Sequence, residues 1–299
     1  MINEIYHKPV LIREVIAALD PQPGKNFLDV TFGGGGHTRA LLAGNPECHV
    51  TSLDWDTKAI DMNAPAIQEE FGDRFRMLWG NFSTLYKIAK KEKLGLFDGI
   101  LADFGTSQFQ IHQRPGFSFM QDTPLDMRMS PAHQAITAEH ILANFSEKDL
   151  ADIFFKYGEE RASRAIAKTI VAERLKKPIT TTRHLVEIIE RLFPVHAYKA
   201  QRGIHPATKV FQALRITVND ELNNITSFLS AALHALKPGG KLACISFHSL
   251  EDRIVKQFFQ EHSDKLEILT PKPLVAQDDE KAMNSSSRSA KLRVAAFRA

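Results

Sequence analysis

Short apolar runs rich in β-branched residues alternate with segments of helical spacing over much of this 299-residue chain. Strands are predicted at "NFLDVTF" (26–32), "HVTSLDW" (49–55), "FRMLWG" (75–80), "DGILADF" (98–104), "KLACISF" (241–247) and "LEILT" (266–270), with a last one at "KLRVAAF" (291–297). Between them the pattern predicts helices at 38–44, 57–72, 83–94 and 250–262. Pro65 falls inside the second, so that helix is expected to start late or kink. The turn "LKPGGKL" (236–242) is expected to stop a long helix and launch the fifth strand. Strand and helix in alternation give an α/β fold, a mostly parallel sheet with helices on both faces.

The alternation stops between about 110 and 206. Helical patterns replace it, in "SEKDLADIFFKYG", "EERASRAIAKTIVAERLKK" and "TTRHLVEIIERLF", with no strand among them. The expectation is a discontinuous α/β domain (1–109 and 207–299) carrying an inserted all-α domain (110–206). No internal repeat is visible. The tract "NSSSRSA" (284–290) is expected to be a mobile loop before the last strand.

A hydrophobic fraction of 43% supplies a full core. "MINEIYHKPVLIREV" lacks a basic segment followed by an apolar stretch, and no window approaches the roughly 20 apolar residues of a membrane helix, so a soluble, cytoplasmic protein with no membrane partner is expected. Cys48 and Cys244 each lie in an apolar, strand-like run, which fits buried reduced thiols. The formal charge of +3 decides little, but its distribution is uneven. Residues 155–209 hold 12 Lys/Arg against 5 Glu and no Asp, which leaves the remainder slightly acidic.

The first strand ends in "GGGGHT" (33–38). A glycine turn from a first strand into a first helix lets a ligand approach the backbone at the carboxyl edge of a parallel sheet. A phosphate-binding loop would need a lysine there, and none is present. A dinucleotide fingerprint would place a third glycine where Thr38 stands. S-adenosylmethionine carries no phosphate and needs neither. A carboxylate at the end of the second strand would grip ribose hydroxyls, and "LDWD" offers Asp54 or Asp56, which suits NAD and S-adenosylmethionine equally. Alternatively, both aspartates cap the next helix at 57–59.

Asp103, in "LADFGTSQFQ", reaches the same carboxyl edge after the fourth strand. No H-E-x-x-H, Cys-x-x-Cys or G-x-S-x-G pattern occurs, and no metal site is expected. His37, His112, His205 and His248 are scattered along the chain.

With these motifs in view, the chain resembles the RsmH/MraW family of bacterial ribosomal RNA small-subunit methyltransferases. The resemblance runs nearly end to end, through "HKPVLIREV", "DVTFGGGGHT", "FDGILADFG", "GFSFMQDTPLDMRMS", "HPATKVFQALRITVNDEL", "GGKLACISFHSLEDRIVKQFF" and "RSAKLRV". It implies a class I Rossmann-like S-adenosylmethionine-dependent enzyme that methylates N4 of one cytidine in the decoding centre of 16S rRNA, near the P site. The inserted helices would then be the substrate-recognition domain.

Carried over by motif, the cofactor contacts implied are Gly35, Gly36, His37, Asp54, Phe82 (in "GNFS"), Asp103 and Gln110. The chain departs from the family in "DFGTSQFQ", where Gln108 and Phe109 replace a serine and a proline, and in "NSSSRSAKLR", which lacks one positive charge. The catalytic expectation is that Asp103, or a carbonyl in "DFGTS", accepts a hydrogen of the cytosine amine. Candidate stacking residues for an unstacked base are Phe117, Phe119, Phe247 and His248. Arg114, Arg128, Arg202 and Lys209, in segments short of helical periodicity or beside family motifs, are candidates for phosphate contacts. The competing readings are an NAD-dependent oxidoreductase, disfavoured by the missing third glycine and the large insert, and a non-catalytic ribosome-assembly factor that binds RNA. A homodimer is compatible with the sequence but has no signal in it.

Overall fold

The computed structural model describes residues 9–106, 110–111 and 114–298. The described chain divides into two compact units, one of residues up to 107 together with 222–299, the other of 108–221.

The first unit is a sheet of eight strands: β1 (Asn26–Asp29), β2 (His49–Asp54), β3 (Phe75–Trp79), β4 (Phe97–Asp103), β5 (Leu236–Ser246), β6 (Leu266–Ile268), β7 (Leu274–Val275) and β8 (Lys291–Phe297). Their spatial order is β3-β2-β1-β4-β5-β8-β6, with β7 also pairing β8. Strands β1 to β5 pair in parallel, and β8 runs antiparallel to both β5 and β6. Successive side chains of a strand point to opposite faces, so a sheet covered on both faces needs continuous apolar runs. Phe27, Leu101 and Ala243 accordingly join one core with α1 (Ile12–Leu19), α2 (Gly36–Gly44) and α3 (Thr57–Phe71). Their neighbours Leu28, Ile100 and Leu242 join the other, against α4 (Leu85–Lys91), α11 (Glu221–Leu233) and α12 (Ser249–Glu261). Both cysteines are buried, unbridged thiols.

Three local expectations are corrected. Helix α3 begins at Thr57 and runs through Pro65. Pro65 is exposed, so the carbonyl that its ring deprives of a partner faces solvent. The turn after α11 does not precede β5 but lies inside it: Phe97 pairs with Leu236 and Gly99 with Lys241, a register shift that absorbs the proline and glycines as a bulge. The tract at 284–290 folds as a 3₁₀ turn (Ser285–Arg288) after α13 (Asp278–Met283), with the buried Ser287 hydroxyl donating to the Asn284 carbonyl at 2.8 Å.

The second unit is helical: α5 (Ala138–Asn144), α6 (Glu147–Lys156), α7 (Ser163–Arg174), α8 (Thr182–Leu192), α9 (Val195–Arg202) and α10 (Ala207–Asn219). Thr137, Ser146 and Thr181 cap α5, α6 and α8 by accepting backbone N–H groups. The expected boundary at 206 falls later, after Glu221, because α10 buries Val210, Phe211 and Leu214 in this unit's core. Its last residue, the fully buried Asn219, donates to the Met127 carbonyl and accepts from the Met129 N–H, both at 2.8 Å. Among the described residues, no helix is long and apolar enough to cross a membrane.

Candidate active site

The carboxyl ends of β1, β2 and β4 meet around the glycine turn. Gly33 (φ 51°) and Gly35 (φ 74°) are left-handed, a conformation that side chains resist. A Cβ on Gly35 would collide with Ile67 Cδ1 and lie 2.9 Å from Phe32 Cε2; one on Gly36 would lie 2.5 Å from Pro9 Cγ. The turn is thus packed from beneath and can carry nothing larger than hydrogen there. Helix α2 starts at Gly36, so its free N–H groups and positive dipole end face the same edge.

The two aspartates after β2 divide the work. Asp56 caps α3 by accepting the Lys58 N–H at 3.1 Å. Asp54 braces the turn, with Oδ2 accepting the Gly33 N–H at 2.7 Å and Oδ1 the Asp56 N–H at 2.9 Å. Burial pushes the Asp54 carboxyl up to about 6, against the pull of those two N–H groups. Asn63 of α3 donates to the Gly33 carbonyl at 3.3 Å, a second brace.

Thr38, standing where a dinucleotide fold needs glycine, is fully buried. Its hydroxyl lies 2.8 Å from Asp29 Oδ2 and 2.8 Å from Ser52 Oγ. Asp29 is itself buried, and desolvation raises its pKa. The Thr31 hydroxyl accepts the Asp103 N–H at 2.7 Å, tying the end of β4 to that of β1. This Asp29–Thr38–Ser52 network and Thr31 were not read from the sequence; a polar run at the end of an apolar strand was the available signal.

His37 Nε2 lies 3.6 Å from Asp103 Oδ2, with both side chains under a tenth exposed. Burial alone would push the imidazole toward its neutral form, but Asp103, and beyond it Asp29 and Glu280, reverse this and hold its pKa above the ordinary histidine value. Neither ring nitrogen of His37 has a hydrogen-bond partner among the described residues. Phe82, half-buried, packs at centroid distances of 5.9 Å from Phe104 and 5.7 Å from Phe228. At the end of β5, the fully buried Glu251 accepts the Phe247 N–H at 2.7 Å and the His248 N–H at 3.3 Å. Phe247 sits so close to Gly105 (φ 101°) that a Cβ there would lie 3.2 Å from its Cδ2.

The first unit therefore brings Gly35, Gly36, His37, Asp54 and Asp103 to one edge. Gln110 is a buried residue of the other unit. Residues 107–109 and 112–113, including Gln108, Phe109 and His112, lie outside the described residues. The expected phosphate contacts are placed differently from the sequence reading. Arg202 and Lys209 lie within α9 and α10, and the Arg202 side chain is outside what is described. Arg128 already holds Asp126 through two bonds of 2.7 and 2.8 Å, and Lys209 Nζ donates to the Glu159 carbonyl at 2.8 Å. Arg114 and Phe117 are half-buried. Phe119 packs against His205 and Phe211 at 5.0 and 5.2 Å, which makes it part of the helical core more than an open platform.

A bare turn without a phosphate-binding lysine, a carboxylate at the second strand and a buried histidine–aspartate pair fit a nucleoside joined to an amino acid. The orphaned His37 nitrogens suit an α-carboxylate. The class that this fold and cleft define is the S-adenosylmethionine-dependent methyltransferase. The sequence pattern of the MraW methylase family matches residues 4–298, and the chain belongs to that family. "Ribosomal RNA small subunit methyltransferase H" of Nostoc punctiforme is 48% identical over 290 residues, 97% of this chain and 93% of the relative. The proteins of the same name from Picosynechococcus sp. and Deinococcus deserti are 47% identical (99% and 98% covered) and 46% identical (98% and 94% covered). The oxidoreductase and non-catalytic readings give way to an enzyme that uses S-adenosylmethionine.

Proposed function

We propose that this enzyme methylates ribosomal RNA, at N4 of a single cytidine in the decoding centre of 16S rRNA near the P site, with the RNA presented in the small subunit in the cytoplasm. The class of substrate is supported by the relatives' shared name across near-complete coverage. The specific atom and site rest on the resemblance of the sequence motifs. The observation that carries the chemistry is the buried His37–Asp103 pair in the glycine cradle.

In this reading Gly35, Gly36 and His37 hold the amino-acid end of the cofactor, Asp54 accepts the ribose hydroxyls and Phe82 packs beside the base. When bound, S-adenosylmethionine supplies a methyl group already activated by its sulfonium. The chain's task is then to align the amine and exclude water. A cytosine amine is a poor nucleophile because its lone pair is delocalised into the ring. Asp103 accepts one N4 hydrogen, favours the pyramidal nitrogen, offsets its developing positive charge and takes up the released proton. Phe247, held by Glu251 beside Gly105, offers a face for the unstacked base.

The test is incubation with methyl-labelled S-adenosylmethionine and small subunits from a strain lacking this modification, followed by digestion and mass spectrometry of the nucleosides. Label on N4-methylcytidine at one site is expected. Label on another nucleoside, or none with cofactor binding intact, refutes the substrate.

A further inference from the structure

The basic segment of the chain lies in the helical unit, yet the α/β unit carries a cationic surface of its own. In α4, Leu85 is buried and Ile88 packs into the core, its Cδ1 2.6 Å from where a Cβ on Gly80 would stand. That inward face fixes the outward one. Lys87, Lys90 and Lys91, spaced i, i+3, i+4, share one face, and all three are exposed. Lys93 follows in a left-handed turn (φ 52°), also exposed. Glu92 is the sole acid in residues 85–96, and Arg76 on β3 engages it at 2.7 Å. Four lysines are left with no carboxylate of that stretch to neutralise them; the nearest approach is Lys91 to the already engaged Glu92 at 3.9 Å.

This surface starts at the active edge. The turn Phe82–Thr84, which follows the carboxyl end of β3 where the Gly80 N–H donates to the Asp54 carbonyl at 2.8 Å, leads directly into α4. One large aromatic flanks the start: Tyr86, 61% exposed. Cations in a row with an exposed ring beside them match a sugar-phosphate backbone and its bases.

We infer that the exposed face of α4, with Lys87, Lys90, Lys91 and Lys93 beside Tyr86, is a docking track for the phosphate backbone of the RNA substrate. The inference rests on the proposed RNA substrate but assigns it a contact on the catalytic unit, outside the inserted helices. The competing account is a solvated helix whose last-turn lysines complement the dipole. That account predicts a stability effect and none on RNA.

The test compares the wild-type chain with K87Q/K90Q/K91Q/K93Q, using small subunits lacking the modification and the 16S rRNA extracted from them. Expected are at least a tenfold loss of affinity for both RNAs and a salt slope shallower by about 2 to 3, given roughly 0.7 per phosphate contact on single strands. Binding of S-adenosylmethionine and turnover at saturating RNA should be unchanged. Affinity and slope equal to wild type overturn the track, as does a loss confined to whole subunits, which would assign the surface to a ribosomal protein. If the wild type binds RNA without methylating it, the proposed reaction fails, and the variant's affinity still decides the track. If the wild type binds no RNA, both fail.

Discussion

Asp54 Oδ2 accepts the backbone N–H of Gly33 at 2.7 Å, so the carboxylate after β2 holds the glycine turn after β1. One side chain thereby shapes the cradle and stands at its rim. Its elevated pKa of about 6 gives the relationship a pH signature. Because the folded pKa lies above the unfolded one near 3.9, the folded chain binds the proton more tightly. The stability contributed by this group is present below about pH 4 and is lost as pH rises through 6. The loss is at most about 3 kcal/mol, reduced where water reaches the half-buried carboxylate. Melting temperature measured from pH 4 to 8 should show this loss in the wild type and not in D54N. Cofactor affinity by calorimetry should run the other way, weakening below pH 6, where the acceptor for the ribose hydroxyls is protonated.

Gly35→Ala combines a positive φ with a collision against Ile67 and Phe32. Binding of S-adenosylmethionine should fall by at least a hundredfold. Gly24→Ala is the control, because its φ of 75° is equally left-handed but its Cβ meets nothing within 4 Å. It should cost only about 1 kcal/mol of stability and leave cofactor binding intact. Equal loss of binding in both variants would show that backbone conformation alone, and not the packed cradle, is at stake.

Asp103→Asn keeps the shape of the side chain and removes its capacity to take a proton. With saturating cofactor, turnover should drop by at least roughly a hundredfold, in the usual range for loss of acid–base help. Near-normal single-turnover rates would dismiss the carboxylate as acceptor and point to a carbonyl of the following loop.

Thr38→Val removes the hydroxyl that serves Asp29 and Ser52 while preserving volume. Leaving a buried carboxylate short of a hydrogen bond should cost about 2 to 3 kcal/mol in chemical denaturation. Thr38→Ser should cost well under half of that. A loss in Thr38→Ser as large as that in Thr38→Val would show that the methyl group's packing matters as much as the hydroxyl's hydrogen bonds.

The elements themselves were legible because their causes are local. Seven expected strands appear where the apolar runs stand, with β7 the short addition, and the glycine turn announces itself by composition alone. Sequence motifs also sufficed for the family. What the sequence left open was settled by contacts between residues far apart in the chain. Asp54 and Asp56 look alike in "LDWD", and only the position of Gly33, 21 residues away, makes one a brace and the other a cap. Thr38 looked like a missing glycine until Asp29 and Ser52 arrived beside it. Arg128 looked available until Asp126 folded against it, and α10 changed units because Asn219 reaches Met127 and Met129 across some 90 residues. Periodicity reports which face of an element is buried. Which polar group meets which is fixed when buried donors and acceptors must find partners, and that requirement is met only in three dimensions.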